Sequence, residues 1–388
     1  MILTCDFENL VENLKDVAEV VEDGLLSEDA RNVIFKLEED GGNVELIGVN
    51  QLITFTRPLD KQYYTLVSEA EDFDNGVRYI QLKSKELLDF LSSYKGLRRT
   101  SVEEVSFEPV KNGRVICKVL EKDLENGTPT ISSWTFSTRE VNRNIMRNIT
   151  LQKPDTELEE VLGNNILFYT RNMLPLLTAG TSLYSKLCFG EDYVVAFSQT
   201  HATLMQNVLG DSLKGVTLLY RAVSFMDKVL CNADVVKVAK TAQHLYFETE
   251  TSKAFIMYDN RLPDYSMQIN GYVKEHAFSL DRVYLKDILK RLRLCNESVE
   301  FAIDDETQSI TLKNSKFTQD IGLMQVKDME KVKFKVMPEI ISRAILGSDE
   351  EFSQTLYVYF CPQPNKTAIL VFTDNSNKWF SSISIKPY

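Results

Sequence analysis

Asn260-Arg261-Leu262-Pro263-Asp264-Tyr265, and after a short link Asp281-Arg-Val-Tyr-Leu-Lys-Asp-Ile-Leu-Lys-Arg-Leu-Arg-Leu-Cys295, form the stretch from which the rest of the chain can be ordered. Pro263 fixes its own φ and biases Leu262 away from the α region. The strand-like run Ala254–Tyr258 must therefore turn there, and a new unit begins. Beyond the link Gly271–Phe278, residues Tyr284, Leu285, Ile288, Leu289 and Leu292 recur at helical spacing. At ~100° per residue they share one side of a helix, while Arg282, Lys286, Lys290 and Arg293 gather on another. The cationic side has two explanations: Lys and Arg commonly cover the wet face and C-terminal end of an amphipathic helix, or the face meets a polyanion.

The same pattern recurs in both directions. Met1–Thr4 is strand-like, and Phe7, Leu10, Leu14, Val17 and Val21 predict a helix over 7–21 with Glu12, Asp16 and Glu19 opposite. Asn32–Leu37, the turn Asp40-Gly41-Gly42-Asn43 and Val44–Gly48 read as a hairpin. A second helix is expected over Lys83–Lys95, with Lys85 and Ser92 outward, then strands at Val102–Phe107, Arg114–Leu120 and Ser132–Phe136. Thr138–Leu162 carries Arg139, Arg143 and Arg147 and fits a solvated linker or a DNA contact equally well. Further on, helices are expected over Thr170–Tyr184, where Pro175 must lie in the first turn or break it, over Leu219–Leu230, and over Met337–Leu346. Strands are expected at Lys186–Phe189, Tyr193–Ser198, Ala202–Leu209, Val235–Ala239, Leu245–Thr249, Val299–Ile303, Ile310–Lys313, Thr355–Phe360, Ala368–Thr373 and Trp379–Ile385. Helices thus begin near residues 7, 83, 170, 219, 281 and 337, each followed by strands. The repetition is one of pattern rather than of letters.

This order of parts, with Arg-Leu-Pro-Asp-Tyr at the junction and a helix ending Leu-Cys-Asn-Glu, resembles the bacterial replicative sliding clamp, the β subunit of the replicase. The resemblance is that of a divergent member, of bacterial or bacteriophage origin. It implies an α+β fold of three clamp domains, each a pair of helix-plus-strands units, with helices lining a ring and sheets outside. The corresponding boundaries are 1–150, a linker 151–162, 163–274 and 275–388. Asn50 stands where the family usually has Asp, and the acidic face of the first helix departs from the expected cationic bore.

Composition sets the limits on function. With 44 Lys+Arg against 56 Asp+Glu the net charge is −12, which argues against a domain held to DNA by many phosphate contacts. It leaves room for a ring that holds DNA by encirclement. No run approaches the ~20 apolar residues of a membrane span, and Asp6 and Glu8 interrupt any signal-peptide core, so a cytoplasmic protein is expected. The six cysteines lack a Cys-x-x-Cys pair and read as reduced, buried thiols. His201, His244 and His276 are far apart, and no phosphate-binding or dinucleotide fingerprint occurs, so no metal, cofactor or enzymatic activity is expected.

The resemblance implies a non-enzymatic processivity factor that encircles double-stranded DNA, closes as a homodimer, and receives DNA polymerase and clamp loader through short hydrophobic peptides. An alternative is a clamp-like peptide-binding scaffold that does not encircle DNA. The implied DNA-facing residues are Lys85, Arg221, Lys228, Arg282, Lys286, Lys290, Arg293 and Arg343. Arg293 stands where the family's subunit contact is apolar. The implied partner pocket takes Ser198, Thr200 and His201 from the turn after Tyr193–Ser198. It also takes Pro263, Met267 and Gln268, and then Ile383, Ile385 and Lys386 from the last strand. Ile383 and Ile385 are equally explained as the inward alternation of that strand.

Overall fold

The computed structural model describes residues 1–21, 31–177, 185–197, 201–209, 211, 213–261, 276–326, 332–345, 353–363, 367–374 and 379–388. The fold is α+β. Seven α-helices lie among these residues: α1 (Phe7–Ala18), α2 (Ser84–Ser92), α3 (Arg143–Ile149), α4 (Gly163–Met173), α5 (Tyr220–Lys228), α6 (Arg282–Arg293) and α7 (Pro338–Ala344). Contacts divide the chain into two compact units, one of residues 1–163 with 228–257 and the other of 164–227 with 258–388. The middle domain expected at 163–274 is shared between them.

In the first unit, Tyr64–Val67, Ile2–Asp6, Thr100–Val110, Arg114–Asp123 and Pro129–Ser137 form a five-stranded sheet in that order. An eight-stranded sheet runs Glu159–Leu162, Val235–Lys240, His244–Glu248, Lys253–Met257, Ile53–Pro58, Val44–Val49, Asn32–Glu38, Val77–Lys83. Helix α1 packs on strands of both sheets and on α2. Phe7, Leu10, Val11, Leu14 and Val17 are buried, each worth roughly 1.5–3 kcal/mol relative to an exposed position. Asp6 caps the helix by accepting from Asn9 N–H at 2.8 Å. Its other end comes so close to the sheet that a Cβ on Gly48 would lie 2.7 Å from the Val17 carbonyl oxygen. Only glycine fits there. Asn50 fastens the same corner: its Nδ2 donates to Val20 O at 2.7 Å while its Oδ1 accepts from Leu52 and Ile53 N–H at 2.7 and 2.8 Å. An aspartate could accept those two bonds but could not donate the first.

The second unit holds a nine-stranded sheet in the order Val216–Leu219, Lys186–Phe189, Tyr193–Phe197, His201–Gln206, Trp379–Ile385, Ala368–Thr373, Thr355–Pro362, His276–Asp281, Gln325–Val326. A four-stranded sheet runs Thr318–Gly322, Ser309–Lys313, Val299–Asp304, Val332–Val336. Helices α6 and α7 pack on each other, and α7 also packs on Trp379–Ile385. Tyr169 on α4 is fully buried, and its hydroxyl donates to Gln206 O at 2.5 Å and accepts from Val208 N–H at 2.7 Å. Burial pushes its pKa up to about 12.

Several boundaries differ from the sequence expectation. The third expected helix begins at Gly163 rather than Thr170, and Pro175 ends it instead of opening it, sitting in a 3-10 turn at Leu174–Leu176. Proline offers no N–H to the turn before it, so the helix has to precede it. The segment 151–162 is not wholly a linker, because Glu159–Leu162 pairs antiparallel with Val235–Val238. Within Thr138–Leu162 a further short helix, α3, starts at an Asn142 cap and buries Ile145 against Ile34, Ile47 and Val49. The link Gly271–Phe278 overlaps the strand His276–Asp281. Residues 262–275, which include Pro263, lie outside the described residues.

Cys5, Cys117, Cys188 and Cys361 are buried free thiols. Burial pushes Cys5 and Cys117 up to about 12 and Cys188 to about 11, so all three stay protonated and inert at neutral pH. Among the described residues no helix is long and apolar enough to cross a membrane, and no group of three His, Cys, Asp or Glu side chains could hold a metal ion.

Candidate nucleic-acid interface and partner site

Helix α6 carries the densest run of candidate DNA-facing residues. Asp281 caps it by accepting from Tyr284 N–H at 2.7 Å. Lys290, Arg291 and Arg293 fall in its last turn, where the helix dipole favours cations. Lys290 and Arg293 are exposed and Lys286 is half-buried. Acidic neighbours temper two of them, with Lys290 Nζ 2.9 Å from Asp287 and Arg293 Nε 3.7 Å from Glu339. Arg343 on the adjoining α7 is exposed.

Arg282 does not belong to this face. It is 0% exposed, and its Nε donates to Ser353 O at 2.9 Å while its backbone N–H donates to Gln354 O at 2.7 Å. It lies three residues before Leu285 and seven before Leu289, hence on the buried stripe. A buried guanidinium has to be paid for in desolvation, and the Nε bond to the Ser353 carbonyl offsets part of that cost. Arg282 thereby ties the start of α6 to the segment that enters Thr355–Pro362. Tyr284, expected inward, is instead 44% exposed.

Arg221 on α5 is exposed, and Thr170 Oγ1 donates to Asp227 at 2.8 Å, joining α4 to α5. In the first unit Lys85 on α2 is exposed, and Lys228 is exposed with its Nζ 2.6 Å from Glu19. Glu12 on α1 is exposed and Asp16 half-buried, its carboxyl raised above the usual range by desolvation. The acidic face read from the sequence is therefore present, and it neutralises part of the cationic charge beside it. Arg171 on α4 and Arg291 on α6 are exposed cations absent from the expected set. Each lies on a helix already expected from the sequence, and a count of every charged position on those helices finds both.

For the partner site, the nine-stranded sheet places His201 opposite Ile383 in register, so two of the expected segments are neighbours. Thr203 and Ser381 share a buried hydroxyl hydrogen bond of 2.7 Å two positions further along. Ile383 is 0% and Ile385 5% exposed, while Ser384 and Lys386 face solvent. Both isoleucines therefore follow the inward alternation. Ser198, Thr200, Pro263, Met267 and Gln268 lie outside the described residues. The chain end is fixed nearby: Tyr388 N–H donates to Lys333 O at 2.9 Å and its hydroxyl bonds Glu300.

No family model matches the sequence, and no curated protein matches it. Solved structures do match in fold. A DNA polymerase sliding clamp from Caulobacter crescentus is similar with TM-score 0.74 at 12% identity, covering 99% of both chains. The DNA polymerase III beta chain of Streptococcus pneumoniae gives 0.73 at 12% identity, again over 99% of each chain. A putative DNA polymerase III beta subunit from Eubacterium rectale gives 0.71 at 13%, also over 99% of each. The chain thus has the sliding-clamp fold along nearly its whole length.

Proposed function

We propose that this chain is a DNA sliding clamp, a processivity factor without turnover of its own that encircles duplex DNA and tethers a polymerase. The observation that carries this is a clamp fold over 99% of the chain, and exposed cations on the helices that the clamp resemblance implies for the bore support it. A ring retains DNA by topology, so each contact can stay weak enough for sliding. Net charge of −12 and the pairing of Lys228, Lys290 and Arg293 with carboxylates suit such weak contacts. They equally suit the alternative, a scaffold that binds peptides without encircling DNA. One experiment separates the two. Loaded onto nicked circular duplex, the protein should stay bound through gel filtration in moderate salt and be lost once the circle is linearised. Equal loss from both forms would leave the scaffold.

Ring closure needs a second copy, and the sheets offer edges for it. Among the described residues Pro129–Ser137 is an unpaired edge of its sheet, with Ile131 and Trp134 66% and 49% exposed. In the four-stranded sheet the Val332–Val336 side is bridged by Pro387, which leaves Thr318–Gly322 as the open edge among the described residues. Leu294, just past α6, is 87% exposed. Open edges flanked by apolar side chains favour pairing with another chain. The homodimer we propose joins these edges head to tail, twice, and so closes. Changing Trp134 and Leu294 to Asp should shift light scattering from dimer to monomer at micromolar concentration. An unchanged dimer would place the contact elsewhere.

A further inference from the structure

Gln81, in the edge strand Val77–Lys83 of the first unit, is 2% exposed, and neither Nε2 nor Oε1 has a hydrogen bond among the described residues. Leaving both ends of a buried amide unpaired is costly, and buried polar groups are ordinarily satisfied. The side chain lines a cavity of about 170 Å³ together with Asn32, Lys83, Ser137 and Arg139. Register explains the convergence: Asn32 lies opposite Lys83 and Ile34 opposite Gln81, while Gln81 N–H donates to Thr138 Oγ1 at 3.3 Å and so draws the 137–139 segment across. The cavity thus presents two cations, a hydroxyl and an amide with an unused donor and an unused acceptor.

We infer that this cavity is a binding site for the free C-terminal residue of a partner polypeptide. The terminal carboxylate meets Lys83 and Arg139, and the peptide amide preceding it pairs with Gln81, its N–H on Oε1 and its C=O on Nε2. A bare phosphate matches the cations, but it lacks the adjoining N–H and C=O by which a peptide end can meet Oε1 and Nε2 together while its carboxylate meets the cations. A nucleotide supplies the charge, but none of the lining residues is an aromatic on which its base could stack. Capture of a chain end by its carboxylate is an established mode of peptide recognition. The site lies wholly in the first unit, and none of its lining residues belongs to the candidate DNA-facing set or to the last strand.

Calorimetric titration of the full chain with acetyl-Gly-Gly-Ala bearing a free carboxylate should show saturable binding. The same peptide with a C-terminal carboxamide should bind at least tenfold more weakly. Lys83→Ala should weaken the free peptide by a similar factor. Gln81→Met should do so too while raising the Tm of the ligand-free protein, because it removes both unpaired atoms at nearly constant volume. Retention on circular DNA should be unchanged in both variants. Equal binding of the two peptides, saturable binding of inorganic phosphate or deoxyadenylate in their place, absence of saturable binding up to millimolar peptide, or a Gln81→Met protein with unchanged Tm and unchanged affinity would each overturn the assignment.

Discussion

Lys286, Lys290, Arg293 and Arg343 changed together to Glu should abolish retention on circular duplex while leaving thermal unfolding nearly as it was. Three of the four side chains are exposed and one is half-buried, and surface substitutions of that kind usually stay within about 0.5 kcal/mol each. The ion pairs to Asp287 and Glu339 that would be lost are surface pairs worth at most about 1 kcal/mol apiece. Toward DNA the effect is far larger, because each reversal sets an anion against phosphate. Single Lys-to-Ala or Arg-to-Ala changes should each flatten the dependence of binding on log salt by about 0.9 per phosphate contact removed. Arg282→Ala should behave in the opposite way. It empties a fully buried volume and strips Ser353 O of its donor, at a cost on the order of 3 kcal/mol. Its effect should therefore appear as a lowered Tm, with retention kept at temperatures where the variant is folded. Wild-type retention by the folded fourfold variant would reduce those cations to solubilising residues, and an unchanged Tm for Arg282→Ala would contradict its place in the core.

That contrast shows where the sequence was legible. Helical periodicity located α1, α2, α5, α6 and α7 to within a few residues, because each has one stripe that packs and one that does not. On α6 the same arithmetic also put Arg282 on the stripe of Leu285, Leu289 and Leu292. Grouping by charge type hid it. Helix α3 escaped because its seven residues bury only Ile145, too little to make a period. Glu159–Leu162 escaped because only Val161 of its four residues is buried, and its strand character comes from pairing with Val235–Val238, far away in sequence. Likewise nothing local joins Thr203 to Ser381, 178 positions apart, although their hydroxyls meet. The resemblance supplied that neighbourhood where pattern alone could not. The unpaired amide of Gln81 is the opposite case. Alternation sets it on the face opposite Ile80 and Leu82, and only the surrounding structure shows that this face is covered and that nothing satisfies the amide.

The two isoleucines of the last strand should separate under substitution. Ile383→Asp sets a carboxylate at a position with no exposed surface, opposite His201 in the sheet. Its expected cost is several kcal/mol, enough to lose DNA retention and polymerase stimulation together. Ile385 is also inward at 5% exposure, but it ends the strand, between exposed Ser384 and Lys386. Ile385→Asp can relax toward solvent there and should cost on the order of 2 kcal/mol. If the partner peptide docks at this strand end, as the clamp resemblance implies, that variant should keep DNA retention and lose stimulation of the polymerase it serves. Deletion of 384–388 is a poorer probe. It also removes the Tyr388 bond to Lys333 and the Pro387 bridge to Phe334, exposing a sheet edge that the intact chain covers. A folded, DNA-retaining Ile385→Asp protein that still stimulates the polymerase fully would move the partner site away from the C-terminal strand.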